Sequence, residues 1–145
     1  MIIDKRNEFA DSVAIPTSAG AVAQLGDSID LGGAVNVGSG EYTDFCVTVE
    51  EDITGATAVQ FDLVSDAQDP VIPASATVHG STGAVPVADL VAGKVLSFQL
   101  PKGFNYERYL GVVVRVTGTA TAGKVNAFLA DQVGKWQPTV ANTGL

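Results

Sequence analysis

The sequence predicts an all-β chain, an antiparallel β-sandwich, barrel or jelly roll, with an extended N-terminal arm and a C-terminal tail. Two observations carry this. Apolar residues alternate with polar ones in several short runs, the signature of strands with one buried face. No long stretch repeats its apolar residues at the 3.6-residue spacing of a helix, and turn signals separate the runs, as in sandwiches, barrels and jelly rolls.

The longest apolar stretch anchors the reading. In Val95–Ala130, Leu96, Phe98 and Leu100 alternate with Ser97 and Gln99. Pro101-Lys102-Gly103 breaks the pattern as a turn does. Tyr109–Thr117 then sets Leu110, Val112, Val114 and Val116 on one face, in a β-branched run that suits a pleated sheet. Gly118–Gly123 holds only Gly, Thr and Ala and reads as a hairpin loop, after which Lys124–Ala130 resumes. The whole stretch is expected as a three-stranded meander.

Upstream, Asp27–Leu31 gives a short strand with Ile29 and Leu31 inward. Phe45, Val47 and Val49 define one strand, and Val59, Phe61 and Leu63 the next. With Asp52-Ile53-Thr54-Gly55 between them, residues 45–65 are expected as a hairpin. Ser75–His79 is expected as a brief strand. Pro86–Val91 fits either one helical turn or an irregular link. The sandwich is thus assigned to residues 27–130, with an arm over 1–26 and a tail over 131–145.

Within the arm, Asp4–Asp11 mixes charges around Phe9 and fits a short helical turn, and Pro16 forces Ile15 to be extended. A frayed terminus is one reading. The other is an arm lying on a partner through Phe9, Val13 and Ile15, and the spacing of these anchors favours it. Trp136 is the one large anchor of the tail.

The chain has 145 residues, one domain's length, and can bury a core without staples. Its formal net charge of −8 disfavours nucleic-acid phosphates. Only 17 % of residues are charged, against about a quarter in average proteins. That composition fits either a weakly charged soluble domain or a β-rich assembly whose subunits cover one another. The single Cys46 excludes an intrachain disulfide. The start shows no signal-peptide pattern and no run suits a membrane span, so a cytoplasmic origin is expected.

No constellation argues for an enzyme. His79 is the only histidine, so any Ser–His–Asp arrangement must use it, and one histidine cannot build a cupin-type metal site. A turn histidine is the plainer reading. Cys46 lies near Asp44 and Glu50, which oppose thiolate formation, so it reads as a half-buried small side chain. Glu50-Glu51-Asp52 lacks the spacing of a calcium loop and reads as a solvated hairpin tip. The glycines form no phosphate loop. No catalytic residue, metal site or cofactor is expected.

Several segments resemble the capsid cement proteins of short-tailed bacteriophages. These are Leu100-Pro101-Lys102-Gly103, Arg108-Tyr109-Leu110-Gly111-Val112 and Gly118–Val125, with Met1–Arg6, Glu8–Asp11 and Val59–Asp66. The resemblance covers most of the chain and is weakest over 67–94 and the tail. It implies a jelly-roll sandwich on the outside of an icosahedral capsid, without catalytic activity, clamping neighbouring major capsid protein subunits. It also implies a small symmetric homo-oligomer, with a dimer favoured over a trimer. Phe9, Val13, Ile15 and Trp136 are then candidate capsid or subunit contacts, with no role for nucleic acid or membrane. The alternative is a carbohydrate- or receptor-binding jelly roll using Tyr42, Tyr106, Tyr109 or Trp136.

Overall fold

A computed structural model describes residues 7–34, 43–101 and 105–130. The chain is an all-β sandwich, in which the described residues form a single antiparallel sheet of eight strands. They are β1 (Glu8–Ala14), β2 (Val22–Gln24), β3 (Ile29–Asp30), β4 (Asp44–Asp66), β5 (Thr77–Ser81), β6 (Val85–Pro86), β7 (Val95–Gln99) and β8 (Tyr109–Ala130). One 3-10 turn, Val87–Asp89, follows β6.

Two strands dominate. β4 runs for 23 residues and β8 for 22. They pair along their whole length, from Asp44 opposite Ala130 to Asp66 opposite Tyr109. The expected hairpin over 45–65 and the expected hairpin loop at 118–123 are therefore both corrected. Each is a crease in one continuous strand, and the two creases lie against each other. The register shifts repeatedly between Val49 and Ala58, which bends and twists the ribbon. Gly55 (φ +88°), Gly118 (φ +89°) and Gly123 (φ +137°) supply the left-handed backbone there. Thr54 and Thr121 join their hydroxyls across the crease at 3.0 Å.

The crease divides the sheet into two layers. In the first, β1 and β7 flank residues 124–130 of β8 and 44–49 of β4. In the second, β2 and β3 flank residues 109–117 of β8, and β5 and β6 flank 58–66 of β4. The three-stranded meander is corrected accordingly: β7 pairs with β4, because both sides of β8 are taken by β4 and by β1 to β3.

The inward faces read from the sequence meet in one core. Phe45, Val47 and Val49 of the first layer join Val59, Phe61, Leu63, Leu110, Val112 and Val114 of the second. The outward face of the second layer is apolar too. There Val64 and Val113 are covered by Val71, from a loop over 67–76 that folds back across the strands. The Val71 N–H donates to Gln24 Oε1 at 2.7 Å, and the Ile72 N–H to Asp66 Oδ2 at 2.9 Å, which fastens the loop down.

Candidate functional site

The sandwich starts well before residue 27. Residues 8–14, expected as part of an arm with at most a helical turn, form β1 on the free side of β8. Phe9 is 2 % exposed and stands edge-on to Phe45, with ring centroids 6.0 Å apart. Ile15 is buried, and its N–H donates to the Gly123 carbonyl at 3.0 Å. Val13 pairs with Val125 and packs on the core. β1 reaches this arrangement through two register shifts and a left-handed Ser12 (φ 54°), which re-aim the chain so that Phe9, Val13 and Ile15 all turn inward. These three side chains therefore serve the chain's own core. Trp136 lies outside the described residues.

A groove of about 710 Å³ opens between β1 and the segment 26–30. Glu8, Asp11, Asp27 and Asp30 line it, so its wall is acidic. Asp30 is forked by Arg108, which donates to its two carboxylate oxygens at 2.9 and 3.0 Å. That hydrogen bond, the Gly32 N–H and the nearby positive charge hold the Asp30 carboxyl below its ordinary pKa.

A second cluster brings together residues far apart in sequence. Ser65 Oγ lies 2.6 Å from His79 Nε2, and the Glu107 N–H donates to the same oxygen at 3.1 Å. The imidazole stacks on Tyr106 with centroids 4.1 Å apart. Tyr106 is buried and donates its hydroxyl to the Pro101 carbonyl at 2.8 Å. Burial lowers the His79 pKa, and Glu107 opposes this in part. The imidazole is thus kept neutral, able to accept the Ser65 proton. The residue types resemble a nucleophile with its base. Yet Ser65 is 0 % exposed and its oxygen already serves two partners, so no substrate carbonyl can approach it. The cluster ties the ends of β4 and β5 to the segment entering β8. His79 sits within β5, in keeping with the brief strand expected over Ser75–His79 and not with a turn histidine.

The remaining candidates are structural as well. Cys46 is 0 % exposed, and burial first, then the Asp44 charge, pushes its thiol pKa up to about 11. Glu50, Glu51 and Asp52 lie exposed on the crease of β4 instead of at a hairpin tip, and Asp52 Oδ1 accepts the Ala92 N–H at 2.7 Å. Among the described residues no group of three or more His, Cys, Asp or Glu is placed to hold a metal ion. Among them, too, no aromatic ring is exposed. No helix of the described residues is long and apolar enough to cross a membrane.

Asp62 is the other buried charge of note. It accepts from Gln60 Nε2 at 2.8 Å and Arg115 Nε at 2.7 Å. Burial pushes its pKa up, but hydrogen bonds from Ser81, Arg115 and Gln60 outweigh that and leave it lowered. Nothing in the local sequence marks the cluster around Ser65 or that around Asp62, since their members come from different strands.

A sequence model of the Bbp16 family matches residues 9–129, which is nearly the whole of the described sandwich. The chain belongs to the Bbp16 family. No curated protein matches it.

Proposed function

We propose that this member of the Bbp16 family is a structural cement protein of a phage capsid. It binds the outer surface of the icosahedral shell and clamps neighbouring major capsid protein subunits, as a homo-oligomer in which a dimer is favoured. It acts without catalysis or cofactor, on the virion exterior. The segments that resemble cement proteins lie largely inside the matched region.

The observation that carries this reading is the shared β4–β8 ribbon. Both layers are cut from the same two strands, so continuous backbone and one ladder tie the halves together. Among the described residues the two candidate nucleophiles, Ser65 and Cys46, are sealed inside it. A body tied together in this way suits a clamp that resists the outward push of packaged DNA. Many contacts repeated by symmetry then act together, although each alone is modest. Of the four rings a sugar-binding reading would use as platforms, Tyr106 is buried and Tyr109 half-buried, while Tyr42 and Trp136 lie outside the described residues.

Co-sedimentation with capsids that lack the protein tests the proposal. Saturable pelleting with the shells, released when the shells are omitted, is the expected result. A chain that stays in the supernatant at tens of micromolar would end the cement reading.

A further inference from the structure

We infer that β7 is the strand through which two copies of the chain pair, edge to edge, about a two-fold axis at Ser97. This rests on the self-association in the proposed function and names the surface that performs it.

Among the described residues the sheet has several open edges, and all but one are blunted. β1 carries Glu8 and Asp11, two register shifts and a left-handed Ser12. β5 is broken by a register shift opposite Leu63 and Val64. β2, β3 and β6 are two or three residues long, and β6 ends in Pro86. Bulges, charges, proline and shortness are the usual protections of an edge. β7 has none of them. Its five residues, Val-Leu-Ser-Phe-Gln, carry no charge in a chain of net charge −8, and its register with β4 is unbroken. Among the described residues β7 pairs with β4 alone.

The hydrogen-bond phase shows what this edge offers. The Leu100 N–H donates to the Thr43 carbonyl and the Val49 N–H to the Lys94 carbonyl. In an antiparallel ladder the bonded pairs alternate, so Phe98 and Leu96 also turn their main-chain groups towards β4. Val95, Ser97 and Gln99 therefore point their N–H and C=O groups away from it.

A second β7 laid antiparallel about Ser97 meets those groups in phase. Ser97 faces Ser97 of the second copy, and Val95 faces its Gln99, with about six main-chain hydrogen bonds in all. On the core side Leu96 falls opposite the second copy's Phe98. Both side chains point inward yet are only half-buried, because the edge beside them is open. Exposed Val95, the first residue of the strand, and exposed Val91 before it extend the apolar contact. The acidic chain repels its own copies, and an uncharged strand is where that repulsion is least. Self-complementary registry together with missing charge points to a second copy as the occupant.

Ser97→Pro tests this directly. It deletes an N–H that faces away from β4, and proline is tolerated on the free side of an edge strand. Ser97→Lys leaves the main chain intact and sets two like charges face to face at the axis. Sedimentation velocity over a concentration series compares both with the wild type, with thermal melts as the check on folding. The expected result is a wild-type dimer and, in both folded variants, self-association weakened at least about tenfold. If Ser97→Pro melts early, Ser97→Lys decides alone. Folded variants that dimerise like the wild type would overturn the inference, as would a wild type that stays monomeric. So would a monomeric wild type whose capsid binding is lost on Ser97→Lys, since the edge would then serve the shell protein. Capsid co-sedimentation of the wild type is scored separately. A monomer that still pellets with shells ends the β7 pairing and leaves the cement reading standing.

Discussion

Gly80 of β5 leaves the space that the Phe98 ring of β7 fills. A Cβ at position 80 would overlap Phe98 Cε2 and stand 2.9 Å from Cζ. The two residues belong to opposite layers, so this contact closes the sandwich on the β5–β7 side. Gly80→Ala is expected to destabilise the fold by about 1–3 kcal/mol, the usual range for overpacking. Shortening the ring in the double variant Gly80→Ala/Phe98→Leu should cost less than the sum of the two single changes. Urea melts of the four proteins measure this, and strict additivity would refute the contact.

The crease depends on Gly123. Its φ of +137° is one that L side chains rarely adopt, and a Cβ there would stand 2.7 Å from Ile53 Cγ1. Gly123→Ala therefore adds backbone strain to a clash with a buried neighbour. A loss of about 2–4 kcal/mol in a chemical melt is expected. Gly20 also has a positive φ but nothing within 4 Å, so Gly20→Ala should cost less.

Phe9 is expected to report on folding. Phe9→Ala removes a ring packed on Phe45 in the core and should lower stability by about 3–5 kcal/mol. Had Phe9 lain on a neighbouring subunit, the melt would hardly move while capsid binding fell. An unchanged melting temperature for Phe9→Ala would contradict the buried placement.

Acid should loosen the loop over 67–76. The Ile72 N–H is the leading cause that lowers the Asp66 pKa from 3.8; burial opposes it, and the Ala67, Ser75 and Gln68 donors add to it. A carboxyl with a depressed folded pKa stabilises the fold above its unfolded value, and loses that contribution as pH falls through the folded one. Stability is therefore expected to drop as pH falls below 3.8. Asp66→Asn should be less stable by about 1–3 kcal/mol at neutral pH and should show a shallower acid limb. Parallel pH melts of the two proteins check both points.

His79 acts in a higher window. Its folded pKa is lowered by burial from 6.5, so just below that value the unfolded chain takes up a proton that the folded chain refuses. Stability should fall as pH drops from 6.5 towards the folded pKa, and His79 should contribute no slope above 6.5. His79→Gln keeps a polar group beside Ser65 without titrating. Its urea midpoint should change less than the wild type's between about pH 7 and pH 5.

The strand faces were legible in the sequence because alternation depends only on which side of the pleat a residue occupies. Phe45, Phe61, Leu63, Leu110 and Val112 all point inward as the pattern implies. Connectivity was not legible. Asp52–Gly55 and Gly118–Gly123 carry the glycines and small polar residues of a hairpin turn, and a bulged crease needs the same residues for the same backbone angles. Only the partner strand distinguishes the two outcomes, and here each crease is the other's partner. β1 was missed because its bulges break the alternation. The Ser65–His79–Glu107 cluster was hidden because 14 residues separate the first pair and 42 the outer pair.

The creased ribbon also determines how the molecule bears a load. In a sandwich whose layers are joined only by surface loops, a pull applied to opposite layers meets side-chain contacts and little else. Here any such pull runs through the covalent backbones of β4 and β8, which pass from one layer into the other. Tension along those strands loads the ladder between them in shear, with many hydrogen bonds strained together instead of one after another.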